Sequence, residues 1–154
     1  MRPYFTERTP WEQARLWRQS RSIEQITASM ADLRAENAGY LADVLQSVGS
    51  QFGGPVTNAL PGLSWHQWGQ AVDCFWLLGR RAEWSSRKLV DGQNGYRVYA
   101  EIARDQGLMA GGYWRRLKDW PHVQKSSFGS PRSAGKSLEE IATTMQARFG
   151  DSET

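Results

Sequence analysis

Histidine is scarce in this chain of 154 residues: His66 and His122 are the only two. Cysteine is scarcer still, and the single Cys74 excludes an internal disulfide framework, so a packed core must hold the fold. No apolar run approaches the roughly 18 residues of a membrane span. The N-terminal stretch Met1-Arg2-Pro3-Tyr4-Phe5-Thr6-Glu7-Arg8 lacks the apolar block of a secretory signal. Synthesis in the cytoplasm without a signal peptide is therefore expected. Internal repeats are also lacking.

What is present suits a single domain, residues 1–154, since 40% hydrophobic content at this length supports one proper core and not two. Net charge is +3, unevenly spread. Residues 1–22 carry five Arg against two Glu, and residues 112–136 carry six Lys/Arg against one Asp, while 23–50 and 137–154 are each net −3. Basic segments of this kind suit an anionic polymer, cell wall or nucleic acid, or they are merely a solvated surface. Nucleic-acid binding rests on charge alone and is not expected. Eight tryptophans are unusual at this length. Most are expected in the core, although Trp65, Trp68 and Trp120 lie beside candidate site residues and could line a groove.

Helix signals dominate. Thr9-Pro10-Trp11-Glu12 combines an N-cap, a proline at the first helical position and a capping glutamate, predicting a helix to about Ser20. Ser22 to Val48 has near-helical apolar spacing and reads as one long helix or two short ones broken near Asn37-Ala38-Gly39. Gly49 to Gly62 is loop, with a short extended piece at Pro55–Thr57. Ala71 to Leu77 is apolar around Asp73, the pattern of a buried strand on which Ala71, Asp73 and Phe75 share one face. Gly79 to Asn94 is a charged connection, a helix follows over 94–106, and Gly111-Gly112-Tyr113-Trp114 is a turn. Pro121 to Lys125 is short and extended, and 126–136 reads as a mobile loop. A last helix spans about 137–149, capped by Ser137 and Glu140. The fold class is α+β, a small antiparallel sheet with helices around it.

Both histidines sit in acid-bearing motifs. Ser64-Trp65-His66 leads after seven residues to Asp73, and Asp119-Trp120-Pro121-His122 gives D-x-x-H. Two imidazoles and a carboxylate form a common ligand set for a catalytic zinc, with a fourth position left open. A carboxylate three residues before the last ligand is placed to take a proton from water. Gly69 argues against one helix carrying both His66 and Asp73, and Pro121 argues against a helix around His122, so both motifs read as turns entering strands. A cation would satisfy Asp73 in its apolar run, and so would an arginine partner.

These residues resemble a family. S-x-H-x2-G-x-A-x-D at Ser64–Asp73, G-G-x-W at Gly111–Trp114 and D-x-P-H at Asp119–His122 are similar to the LAS-type zinc peptidases. That group contains D-Ala-D-Ala carboxypeptidases and dipeptidases and the L-alanyl-D-glutamate endopeptidases of phage endolysins. Arg8, Glu12-Gln13, Leu16-Trp17, Gln19 and Arg21-Ser22 resemble its N-terminal block. The resemblance implies a hedgehog/DD-peptidase-like fold and zinc held by His66, Asp73 and His122. It also implies Asp119 as general base, Arg8 as oxyanion or substrate contact and Ser64 as a substrate contact; Arg21 in the N-terminal block and Trp65 and Trp120 beside the motif residues are the further substrate-binding candidates. The substrate would be peptidoglycan, reached after release from the cytoplasm to the periplasmic wall, and the protein would act as a monomer. Three departures stand out: only seven residues precede Arg8, a helical insertion occupies about 23–50, and Ser20 replaces the usual glycine before Arg21.

Overall fold

The structure is a computed structural model that describes every residue except Arg116 and Thr154. One arginine of the basic 112–136 segment and the end of the expected 1–154 domain therefore lie outside the described residues. The class is α+β, with five α-helices and a five-stranded antiparallel sheet among the described residues. The chain divides into two compact units, Met1–Glu7 with Trp68–Ser127, and Arg8–Gln67 with Phe128–Thr154.

The first unit holds the sheet. Strands β1 (Arg2–Phe5), β2 (Ala71–Leu78), β3 (Arg81–Glu83), β4 (Met109–Ala110) and β5 (His122–Gln124) take the order β1-β2-β5-β4, with β3 also paired to β2. The seven residues before Arg8 thus suffice for a strand, which pairs antiparallel with β2 and has a register irregularity between Pro3 and Phe5. Helix α4 (Gly95–Asp105) starts at Asn94, whose side chain accepts from the Tyr96 and Arg97 amides. It buries Ala100 and Ala103 against Ala110 and Val123, with Val72, Tyr99 and Trp120 packed alongside. These small residues let the helix approach the sheet closely. Tyr96 pins it further by donating to the Glu83 carbonyl at 3.0 Å.

The second unit is helical: α1 (Pro10–Arg18), α2 (Ile23–Ala35), α3 (Gly39–Ser47) and α5 (Leu138–Phe149). Helices α1, α2 and α5 each begin with a capping box, from Thr9 and Glu12, Ser22 and Gln25, and Ser137 and Glu140. Each cap contributes about 1 kcal/mol. The stretch from Ser22 to Val48 resolves into two helices because Asn37 adopts φ +58° and Ala38 caps α3. Leu33, Leu41, Leu45, Ile141 and Met145 are fully buried. Gly62 admits this packing, since a Cβ there would lie 2.5 Å from Ile141 Cγ2.

Three expectations change. Pro55–Thr57 is irregular, not extended into a strand. Residues 126–136 are not a loose loop but a series of hydrogen-bonded turns: Ala134 N–H donates to Ser130 O, Gly135 N–H to Arg132 O, and Pro131 is buried. And only Trp11, Trp17 and Trp65 of the eight tryptophans are core; the others are half-buried, and Trp84 is exposed. Short strands leave too little interior to enclose so many indoles.

Candidate metal centre

Register builds half of the site. β2 and β5 pair antiparallel with Asp73 directly opposite His122, so the two side chains leave the sheet on the same face. The His122 Nδ1 lies 3.0 Å from Asp73 Oδ1, and both residues are buried. His66 sits in a 3-10 turn, Trp65–Trp68, and Gly69 at φ +64° then redirects the chain into β2. This turn-to-strand path is the one that Gly69 predicted. One ligand atom from each of His66, Asp73 and His122 lies within 4.8 Å of the other two, and all three residues are buried.

That donor set fits a zinc ion. Bonds near 2.1 Å at a tetrahedral angle require donor atoms about 3.4 Å apart, close to the Asp73–His122 separation. Two nitrogens and one carboxylate oxygen are also the mixed set that zinc accepts while keeping one position open.

A residue that sequence reasoning missed completes His122. Gln124 Oε1 lies 3.0 Å from His122 Nε2, and Gln124 itself is buried with its amide donating to Ser126 O at 2.6 Å. A carbonyl oxygen only accepts, so it fixes a proton on Nε2 and leaves the Nδ1 lone pair on the Asp73 side, where a cation can take it. The i+2 position on a strand was the available signal, because it shares a face with His122. Burial alone would lower the His122 pKa, but hydrogen bonding to Asp73 and Gln124, with the charges of Asp73 and Asp119, raises it overall. Trp114 packs on the imidazole with ring centroids 5.0 Å apart.

Asp119 is half-buried in the turn before β5, its amide donating to Gly111 O and its carbonyl accepting from the His122 amide. Here the G-G-x-W motif acquires a physical reason. A Cβ on Gly111 would lie 2.4 Å from Asp119 O and 3.1 Å from both Asp119 Cβ and His122 Cβ; one on Gly112 would meet the Trp120 ring at 2.4 Å. The two glycines are space for the D-x-P-H segment. Trp120 is half-buried, with the Arg97 guanidinium 5.7 Å from its ring centre.

The remaining candidates lie in the helical unit. Arg8 is buried; its Nη1 donates to Gln13 Oε1 at 2.8 Å, and its amide donates to the His66 carbonyl. Gln13 in turn donates to Ala59 O at 2.6 Å. Arg21 donates to Thr57 O and Asn58 Oδ1 and stacks over Trp17. The N-terminal block thus grips the 57–59 loop that leads to His66. Ser64 opens the His66 turn, its carbonyl accepting from Gln67 N–H and its amide donating to Gln67 Oε1. Trp65 is buried, and its indole N–H is committed to Phe128 O at 2.7 Å.

Two histidines and an aspartate buried together, as His66, Asp73 and His122 are, suit a metal-dependent hydrolase. Residues 57–125 match the family model described as D-alanyl-D-alanine carboxypeptidase. The match takes in both histidine motifs and the glycine pair but not the block from Arg8 to Ser22. No curated protein matches the chain.

Proposed function

We propose that the protein is a zinc peptidase hydrolysing the stem peptides of peptidoglycan in the bacterial cell wall, as an L-alanyl-D-glutamate endopeptidase of the endolysin type. The observation that carries the reading is the convergence of His66, Asp73 and His122 from separate motifs within 4.8 Å. Bound there, zinc supplies Lewis acidity toward the scissile carbonyl and the attacking water. Asp119 takes the proton of that water and later delivers it to the leaving amine. Its influence on His122 supports this role, since a carboxylate that raises the imidazole's pKa stands within electrostatic reach of the same centre. Arg8, held by Gln13, is pre-ordered to stabilise the developing oxyanion. The same reading assigns peptide contacts to Ser64, Arg21, Trp65 and Trp120.

A second reading, cleavage of the terminal D-Ala-D-Ala bond, is favoured by the description of the matching family. Mass spectrometry of muropeptides after digestion separates the two. Endopeptidase action releases the stem peptide without its first residue and leaves that L-Ala on the sugar-bearing fragment, whereas carboxypeptidase action removes a single terminal alanine. Asp119→Asn should retain one equivalent of zinc and lose at least about 100-fold in kcat. Intact muropeptides with zinc-loaded wild-type protein would leave only a non-catalytic wall-binding module.

A further inference from the structure

We propose that Tyr4, Phe75 and Trp84 form a sugar-binding platform that holds the glycan strand of peptidoglycan next to the metal centre. The inference deepens the peptidase reading and rests on it. Tyr4 and Trp84 are 47% and 56% exposed, a large aromatic outlay on a surface where water would ordinarily select polar groups. The rings hold one another: Tyr4 meets Trp84 edge-on at 5.3 Å, Trp84 lies 5.9 Å from Phe75, and Tyr4 lies 6.4 Å from Phe75. A cluster braced in this way is stiff before any ligand arrives, which lowers the ordering cost of binding.

The sheet places this cluster. Phe75 follows Asp73 by two residues on β2, so both leave the same face about 7 Å apart. Trp84 continues from β3, whose Glu83 pairs with Trp76, and so comes to lie beside Phe75. Tyr4 is the extra residue at the β1 irregularity between Pro3 and Phe5, which re-aims its ring toward Phe75. Arg2, paired with Phe75 across β1 and β2, is exposed at the edge of the group.

The chemistry favours a pyranose. The C–H faces of a sugar ring carry partial positive charge and settle on the negative face of an aromatic ring, while its hydroxyls and acetamido groups stay hydrated at the rim. In peptidoglycan the first stem residue is joined to the sugar through a lactyl group. A bond cut one residue from the sugar therefore leaves the sugar ring a few ångströms from the centre, matching the offset along β2. A terminal D-Ala-D-Ala bond would put it more than about 10 Å away. The platform thus favours the endopeptidase branch.

Calorimetric titration with peptide-free glycan strands, and kinetics on a disaccharide-bearing muropeptide beside the same stem peptide lacking sugar, test this. Wild type should bind the strands, and Trp84→Ala should weaken that binding roughly 10-fold. The same variant should raise KM for the sugar-bearing substrate by a similar factor, leaving kcat and the sugar-free substrate unchanged, with Trp84→Tyr restoring most of the loss. Absence of glycan binding by wild type, or equal effects of Trp84→Ala on both substrates, overturns the platform. Concentration-dependent dimerisation through these rings without glycan binding overturns it as well. Glycan binding that is lost in Trp84→Ala, with neither substrate cleaved by zinc-loaded wild type, supports the platform and refutes the peptidase reading instead.

Discussion

Replacing Gly111 by alanine adds a single methyl group and should nevertheless disable the protein. The added Cβ would sit 2.4 Å from the carbonyl oxygen of Asp119, about 1 Å inside ordinary contact. That obstacle is backbone, so no rotamer change relieves it. The turn that carries Asp119 and leads to His122 must move bodily, and it is tied to the same place by the Asp119 N–H to Gly111 O bond of 3.1 Å. Overpacking of this kind costs about 1–3 kcal/mol of stability. The functional cost is larger, because a displacement near 1 Å of the base or of a ligand lowers rate by roughly 100-fold. The assay is kcat/KM on purified muropeptides with zinc saturating, beside thermal melting. Gly129→Ala, where a Cβ meets nothing within 4 Å, is the matched control and should behave as wild type. Full activity in Gly111→Ala would refute the claim that the glycine is there for space.

Further expectations concern the metal ligands and the backbone. Gln124→Ala removes the acceptor for His122 Nε2 and should weaken zinc binding about 10–100-fold by calorimetry, with the fold retained; unchanged affinity would remove Gln124 from the centre. In metal-free protein, the raised His122 pKa means that the folded state holds its proton more tightly than the unfolded chain does. Its contribution is therefore fully present below the unfolded value near 6.5 and is lost as pH rises through the raised folded value. Melting of the metal-free protein should fall over that window, and Asp73→Asn should flatten the fall. Zinc affinity should climb over the same interval as the proton leaves. Ser20 holds φ +62°, a conformation costly for a residue with a Cβ. Ser20→Gly should therefore stabilise by about 0.5–1 kcal/mol after the entropy of glycine is counted, and a lower melting temperature would contradict this.

Local signals fixed much of the molecule. The caps at Thr9, Ser22, Asn94 and Ser137 each begin a helix, because a side-chain oxygen satisfies an orphan amide through contacts only two or three residues away. The turn into β2 was legible for the same reason, since Gly69 and the apolar run after it are neighbours in sequence. Spacing alone identified His66, Asp73 and His122 as possible ligands, and their resemblance to zinc peptidases gave Asp119 its role. Tertiary structure decided what depends on register and close approach. Asp73 faces His122 because β2 and β5 pair at one register out of many, and a slip of one residue would send the two to opposite faces. Gln124 became a partner of His122, Gly111 and Gly112 became space for the Asp119 turn, and Trp84 stayed outside the core. Each of these facts joins residues that a linear reading treats separately, and only the packed chain sets the distances between them.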